Sequence, residues 1–380
     1  MLSFFLKSLK ILGLTLIGLL VIIIGFGALF LNFYPSFGGN PSENQQIEFA
    51  KKSYYKDGRF KNQEPTNMDM SFSNILFLIS EYRRTGVQRE PEKNIHVNKI
   101  DSLSIVRYTD SIPRITWFGH SAFLLEFDDK KILLDPMLGE SPSPHPLIGT
   151  KRYSSDLPII IEKLPQIDAV IFSHDHYDHL DYESILLLKD KVKDFYVPLG
   201  VGTHLEAWGV ATNKIHELAW WGEVKQDDVF FACTPAQHFS GRGIFNRETT
   251  LWASWVIKSD KYSFYFSGDS GYGKHFKEIG DKYGGFDFAM IECGQYNELW
   301  SDIHMMPEES VQACLDLNAK LAMPIHWGAF TLALHAWTDP VVRFEAKAKE
   351  LNLPYITPEI GNRVMLNQPY IHMNNWWESL

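Results

Sequence analysis

Three histidines and two aspartates occupy the six positions His174 to His179, within the stretch IFSHDHYDHLD. Imidazoles and carboxylates are the usual ligands of zinc-like divalent ions. His174, His176, Asp178 and His179 together exceed what one structural ion takes from a single segment, so the loop reads as half of a two-metal site. A solvated polar loop is the plainer alternative, and the density of ligand-type residues argues against it. The apolar residues Ala169 to Phe172 predict a buried strand running directly into this cluster. The cluster then sits at the carboxyl end of a strand, where α/β folds place their ligands.

Three more polar residues follow apolar runs in the same way. His238 follows VFFACTPAQ, Asp269 follows YSFYFSG, and His326 follows LAMPI. Gly268 and Gly271 flank Asp269 and allow close backbone approach. Singly, each is more often a structural histidine or a turn aspartate; their common place past a strand makes them converge on one edge. The elements that must position them are readable. RITWFG, SAFLLEF and KILLD predict three successive strands from Arg114, followed by a Pro-rich loop, the strand into the metal loop and a helix from Tyr182 to about Asp190. DVFFACTPAQH, TLWASWVIKS, YSFYFSGDS, FDFAMIEC and LAMPIHW predict a second set of strands, with helices over Lys274–Tyr283, Pro307–Leu317 and Pro340–Leu351. Two strand-rich halves with interspersed helices imply a layered α/β sandwich.

The whole chain restricts the function classes. At 380 residues, with 45% hydrophobic and 14% aromatic content, it can bury a substantial core. A net charge of −10 argues against nucleic acid as a partner, because phosphate binding needs a basic surface. Cys233, Cys293 and Cys314 show no CxxC spacing, so neither a disulfide framework nor a cysteine zinc site is indicated. Ile11 to Leu31 carries no charge and is long enough to cross a bilayer. Lys7 and Lys10 precede it, which keeps the amino end cytoplasmic and places the remainder on the outer, periplasmic or extracellular, side. The expected organisation is a single-pass anchor over 1–33, a linker and peripheral extension over 34–111 with one helix near Ser73–Arg84, and a hydrolase domain over 112–370.

The segments ITWFGHSAFLLEF, LLDP, PQIDAVIFSHDHYDHLD, VPLG, PAQHFSGR, LWASWVI, FSGDSGY, FKEIG and IHWGAF resemble the metallo-β-lactamase superfamily, and within it the N-acylphosphatidylethanolamine-hydrolysing phospholipase D family. The resemblance covers about Arg114 to Leu334 and implies a four-layer αβ/βα sandwich, to which the N-terminal transmembrane helix read from the apolar stretch is added. It also implies two divalent ions, zinc by ligand type, one held by His174, His176 and His238 and the other by Asp178, His179 and His326, with Asp269 bridging. Two ions about 3.5–4 Å apart would share and activate one hydroxide as nucleophile. Asp178, Asp269 and His304 are the groups expected to carry catalysis, and Asp135 would orient a ligand by hydrogen bonds.

Arg242, Tyr296 and His335 are the candidates for contact with substrate, although Arg242 is equally readable as an exposed arginine and His304 as a helix-flanking histidine. The chain departs from the family pattern at Glu292-Cys293, Gln295, His335 and Trp337, which border the pocket; Glu292 is either a buried carboxylate with a raised pKa or a capping residue. The implied activity is a phosphodiesterase on N-acylphosphatidylethanolamine-like phospholipids, with a lactone or other ester hydrolase using the same site as the alternative. Oligomeric state has no signature in the sequence.

Overall fold

A computed structural model describes residues 2–368 and 375–380. The chain opens with α1 (Leu2–Phe33) and α2 (Glu43–Phe49), then a hairpin of β1 (Tyr55–Lys56) and β2 (Arg59–Phe60), and α3 (Phe72–Tyr82) and α4 (Ser102–Val106). A first sheet is built from β3 (Arg114–Trp117), β4 (Phe123–Phe127), β5 (Lys130–Leu134), β6 (Ile167–Ile171), β7 (Val192–Pro198) and β8 (Ile215–Leu218). Its helices are α5 (Tyr182–Leu188) and α6 (Gly202–Ala207). A second sheet follows, made of β9 (Gly222–Gln226), β10 (Val229–Thr234), β11 (Ser254–Lys258), β12 (Ser263–Phe266), β13 (Phe288–Glu292) and β14 (Ala322–Ile325). Its helices are α7 (His275–Tyr283), α8 (Pro307–Asp316) and α9 (Asp339–Glu350), after which β15 (Arg363–Met365) returns to the first sheet.

The strand order is β15-β3-β4-β5-β6-β7-β8 in one sheet and β14-β13-β12-β11-β10-β9 in the other. Side-chain alternation shows how the layers stack. Phe123, Leu125, Ile132, Leu134, Ala169 and Ile171 pack into the core shared with the second sheet. Their neighbours Leu124, Leu133 and Val170 join Ile185, Leu188 and Leu205 beneath α5 and α6. Successive residues of a strand point to opposite faces, so a strand covered on both sides reads as a continuous apolar run. The result is the four-layer sandwich expected from the sequence, with β5 to β8 parallel and β12 to β14 parallel.

Two regions depart from expectation. The stretch over 34–111 is more than a linker: Phe49, Phe60, Ile95 and Val97 belong to the same core as the sheets. Its breaks at Pro35, Pro41 and Pro65 and its polar composition hide that burial, because the buried residues follow no helical or strand period. The expected domain end at 370 lies outside the described residues, while Trp376 and Trp377 beyond it pack on Trp327 with ring centroids 5.6 and 5.5 Å away. The apolar span Phe4–Phe33 in α1 is not buried against the rest of the described chain.

Candidate metal centre

Each expected ligand lies just past a strand end, and the strands bring them together. His174, His176, Asp178 and His179 follow β6; His238 follows β10, Asp269 follows β12, and His326 follows β14 directly. Two groups of ligand atoms result, one from His174, His176, His238 and Asp269, the other from His120, Asp178, His179 and His326. Asp269 also groups with His304 and His326, so its carboxylate stands between the two clusters. The carboxylate lies 3.1 Å from His179 Nε2, 3.2 Å from His326 Nδ1 and 3.7 Å from His238 Nε2.

Close backbone approach makes this convergence possible. Gly268 has φ 55°, and a Cβ there would stand 2.4 Å from the Ser173 Cβ. His326 itself has φ 68°, a left-handed conformation uncommon for a residue with a side chain. It is held by its backbone N–H donating to the His120 carbonyl at 3.1 Å, while the His120 N–H donates to the Trp327 carbonyl at 3.1 Å. These bonds tie the β3–β4 turn to the loop after β14.

The chemistry of the donors fits divalent ions. Ligand histidines ordinarily bind through one nitrogen and hydrogen-bond through the other. His174 Nδ1 is 2.9 Å from Ser173 Oγ, His179 Nδ1 is 2.6 Å from Asp135 Oδ2, and His238 Nδ1 donates to the Ile303 carbonyl at 3.0 Å. The other nitrogen of His174 is buried without a hydrogen-bond partner, and that of His179 has Asp269 Oδ1 as its polar neighbour at 3.1 Å. Buried polar atoms are rarely left unpaired, and His174 Nε2, 3.8 Å from Asp269 Oδ2, is available to a cation. His176 Nδ1 and His238 Nε2 also lie only 3.2 Å apart, a contact between ring nitrogens that a cation or proton must mediate.

Burial lowers the proton affinity of His174, His238 and His326, which leaves neutral imidazoles with available lone pairs. Burial would raise Asp178, but His179 and His120 outweigh it and hold the carboxyl well below its ordinary range. Asp269 is pushed up to about 7, chiefly by burial and secondarily by Glu292, against the opposing pull of His179.

The remaining sequence candidates fall into three groups. Asp135 stands where expected, bonded to His179 and accepting the Ser173 backbone N–H at 2.7 Å. His304 lines the pocket over the cluster, and its Nδ1 is paired with Glu292 Oε1. Glu292 is fully buried, and burial drives its pKa well above the ordinary value, so the buried-carboxylate alternative is the one observed. Arg242 requires a correction: its guanidinium donates to the carbonyls of Ser36, Asp175 and Leu180 and lies over the Tyr177 ring. It braces the underside of the metal loop and does not line the pocket over the metals. Tyr296 and His335 stack at 4.5 Å and line a neighbouring cavity of about 390 Å³, with Tyr296 bonded to Asp339. They are corrected to neighbours of the metal pocket.

Two contributions were not anticipated. His120 enters the second ligand group; its only sequence signal was a Gly-His pair between two strands. Asn62, from the N-terminal extension, clamps the His238 backbone, accepting its N–H at 3.1 Å and donating to its carbonyl at 2.8 Å. The pocket above the ligands measures about 270 Å³ and has apolar walls of Met68, Met70, Phe239, Trp300, Ile303 and Leu332.

Comparison with known proteins agrees with this geometry. Residues 130–327 match the beta-lactamase superfamily domain. An uncharacterised protein of Mycobacterium tuberculosis is 39% identical over 328 residues, covering 85% of this chain and 87% of its own. N-acyl-phosphatidylethanolamine-hydrolyzing phospholipase D 1 of Caenorhabditis elegans is 34% identical over 250 residues, covering 62% of this chain and 68% of its own. Among solved structures, Igni18, a metallo hydrolase of the archaeon Ignicoccus hospitalis, aligns with a TM-score of 0.50 at 22% identity, covering 67% of this chain and 97% of its own, a likeness of fold. The chain belongs to the metallo-β-lactamase superfamily of metal-dependent hydrolases, with relatives among the N-acyl-phosphatidylethanolamine-hydrolysing phospholipases D.

Proposed function

We propose that this protein is a membrane-anchored dinuclear-zinc phosphodiesterase that hydrolyses N-acylphosphatidylethanolamine-like phospholipids. The observation that carries the reading is the combination of a His/Asp floor with apolar walls of Met68, Met70, Phe239, Trp300, Ile303 and Leu332. Such a pocket suits a substrate with a phosphoryl group at one end and acyl chains at the other. The name of the nematode relative supports the same substrate class.

His174, His176 and His238 would hold one ion, and Asp178, His179 and His326 the other, with Asp269 between them. When bound, the ions supply Lewis-acid stabilisation of a phosphoryl oxygen and acidify a water. The chain's own groups do the positioning. Asp135 and Ser173 fix the rings of His179 and His174, and Glu292 fixes His304. His304 is thereby held beside the pocket, where a proton at the ring can be delivered to a leaving oxygen. The span in α1 provides the anchor, and Lys7 and Lys10 near its amino end, ahead of the uncharged stretch Ile11 to Leu31, favour a cytoplasmic amino end with the catalytic domain on the outer face.

The modest cavity, about 270 Å³, favours a second reading, a lactone or other small-ester hydrolase with the same floor. Release of phosphatidic acid from N-acylphosphatidylethanolamine in mixed micelles, assayed beside a lactone panel, separates the two. The metal-loaded chain is expected to release phosphatidic acid. Lactone turnover without that product would transfer the function to the second reading.

A further inference from the structure

The helix α3 carries an apolar stripe facing the wrong way for a soluble protein. Phe72, Ile75, Leu76 and Ile79 fall at spacings of three and four, which places them on one face of the helix. In a globular domain such a stripe faces the core, yet no residue of this helix is buried. Phe72 keeps 76% and Leu76 51% of its surface exposed. The helix also begins two residues after Met70, which lines the metal pocket, and Phe77 and Glu81 line the adjoining cavity.

A second exposed apolar segment lies near the root of α1. Phe37, just past α1, lies 5.4 Å from Phe30 and 6.5 Å from Tyr177, next to the Gly243 backbone. From that backbone the loop presents Ile244 and Phe245 to solvent. Arg247 then covers the Phe239 ring at 3.7 Å and reaches the Met68 sulfur at 3.2 Å, both residues lining the pocket. These contacts join the base of the candidate span, the exposed loop at Ile244 and Phe245, and the pocket, and α3 follows Met70 of the same pocket along the chain.

We propose that α3 is a second membrane contact, lying in the bilayer interface with Phe72, Ile75, Leu76 and Ile79 in the lipid and holding the pocket mouth against the leaflet. The apolar face of an interfacial helix enters about 5–10 Å into the headgroup and acyl boundary, which accommodates this stripe. Arg83 and Arg84 follow the helix, Arg84 also pairing with Glu81, and provide cations at the level of lipid phosphates. The proposal rests on the phospholipid reading for its purpose, because a substrate drawn from the leaflet would pass Met68 and Met70 on its way to the metals.

The test uses the full chain with Leu76→Cys carrying an environment-sensitive nitrobenzoxadiazole label, reconstituted in phosphatidylcholine–phosphatidylglycerol vesicles. Cys233, Cys293 and Cys314 are buried and leave position 76 as the accessible thiol. The expected result is blue-shifted emission, strongly quenched by lipids carrying a nitroxide near the glycerol backbone and protected from aqueous iodide. Quenching by iodide without quenching by the nitroxide lipids overturns the proposal. So does a blue shift that ignores the nitroxide lipids and grows with the protein-to-lipid ratio, which would assign the stripe to a second copy. The readout needs no turnover: nitroxide quenching without phosphatidic acid release would sink the substrate reading and leave the membrane contact standing.

Discussion

His120 Nε2 lies 2.9 Å from Asp178 Oδ2, a bond between the β3–β4 turn and the metal loop. His120 is buried and has φ 55°, so backbone strain is maintained there to present this ring to a carboxylate in the second ligand group. Its place beside Asp178 is that of a positioning residue. Loss of such a partner commonly weakens metal binding about 10–100-fold. His120→Ala should weaken one of two binding steps by that factor and leave the other, measured by titrating zinc into the chelated chain. Affinities at both steps equal to those of the unsubstituted chain would remove His120 from the site.

Glu292 and His304 should act as a unit. Glu292→Gln keeps the size of the side chain and an acceptor for Ser270 N–H but alters the protonation of His304. The expected effect is a fall in kcat of about a hundredfold with little change in KM, the scale of a lost proton-transfer group. His304→Ala should cost about the same, and the double variant little more. Additive losses would show that the two residues contribute separately.

Arg242 should prove structural. Truncation to Ala strips the donors from three buried carbonyls, for a loss of about 2–4 kcal/mol in stability. In the metal-loaded variant that remains folded, KM for phosphodiesters and for neutral esters should change alike. A loss confined to phosphorylated substrates would restore Arg242 to the substrate site.

Glu217 should give the fold a pH dependence remote from the metals. Burial pushes its carboxyl up to about 7 despite the N–H of Gly202 donating to it at 2.9 Å. Because the folded value lies above the ordinary 4.5, the fold retains a proton that the unfolded chain releases between those limits. The contribution is present below pH 4.5 and is lost as the pH rises through about 7. Glu217→Gln should match the parent at pH 4 and exceed it by up to about 3 kcal/mol at pH 8, read from denaturant midpoints. A gap independent of pH would refute this account of Glu217.

Much of the centre was legible because its ligands follow apolar runs that are buried on both faces. Ile167–Ile171, Phe264–Phe266 and Ala322–Ile325 announce their strands, and the polar residue after each marks a sheet edge. The charged strands were harder to read. Lys193 and Asp194 interrupt β7, and GEVKQ in β9 alternates polar with apolar residues too briefly to stand out against a loop. Arg242 shows why a charged residue near a ligand is a weak signal: one side chain can bind phosphate or brace buried carbonyls, and only burial distinguishes the two. His120 and Asn62 act through long-range contacts with residues far along the chain, and a lone His or Asn carries no spacing that reveals them.

The most direct measurement of the central claim is metal content and phosphatidic acid release, followed together on the full chain after chelation and stepwise return of zinc. The account predicts no release from the chelated chain, recovery of release with zinc, and saturation at about two ions per chain. Release that survives chelation, or full activity reached with a single ion, would contradict it.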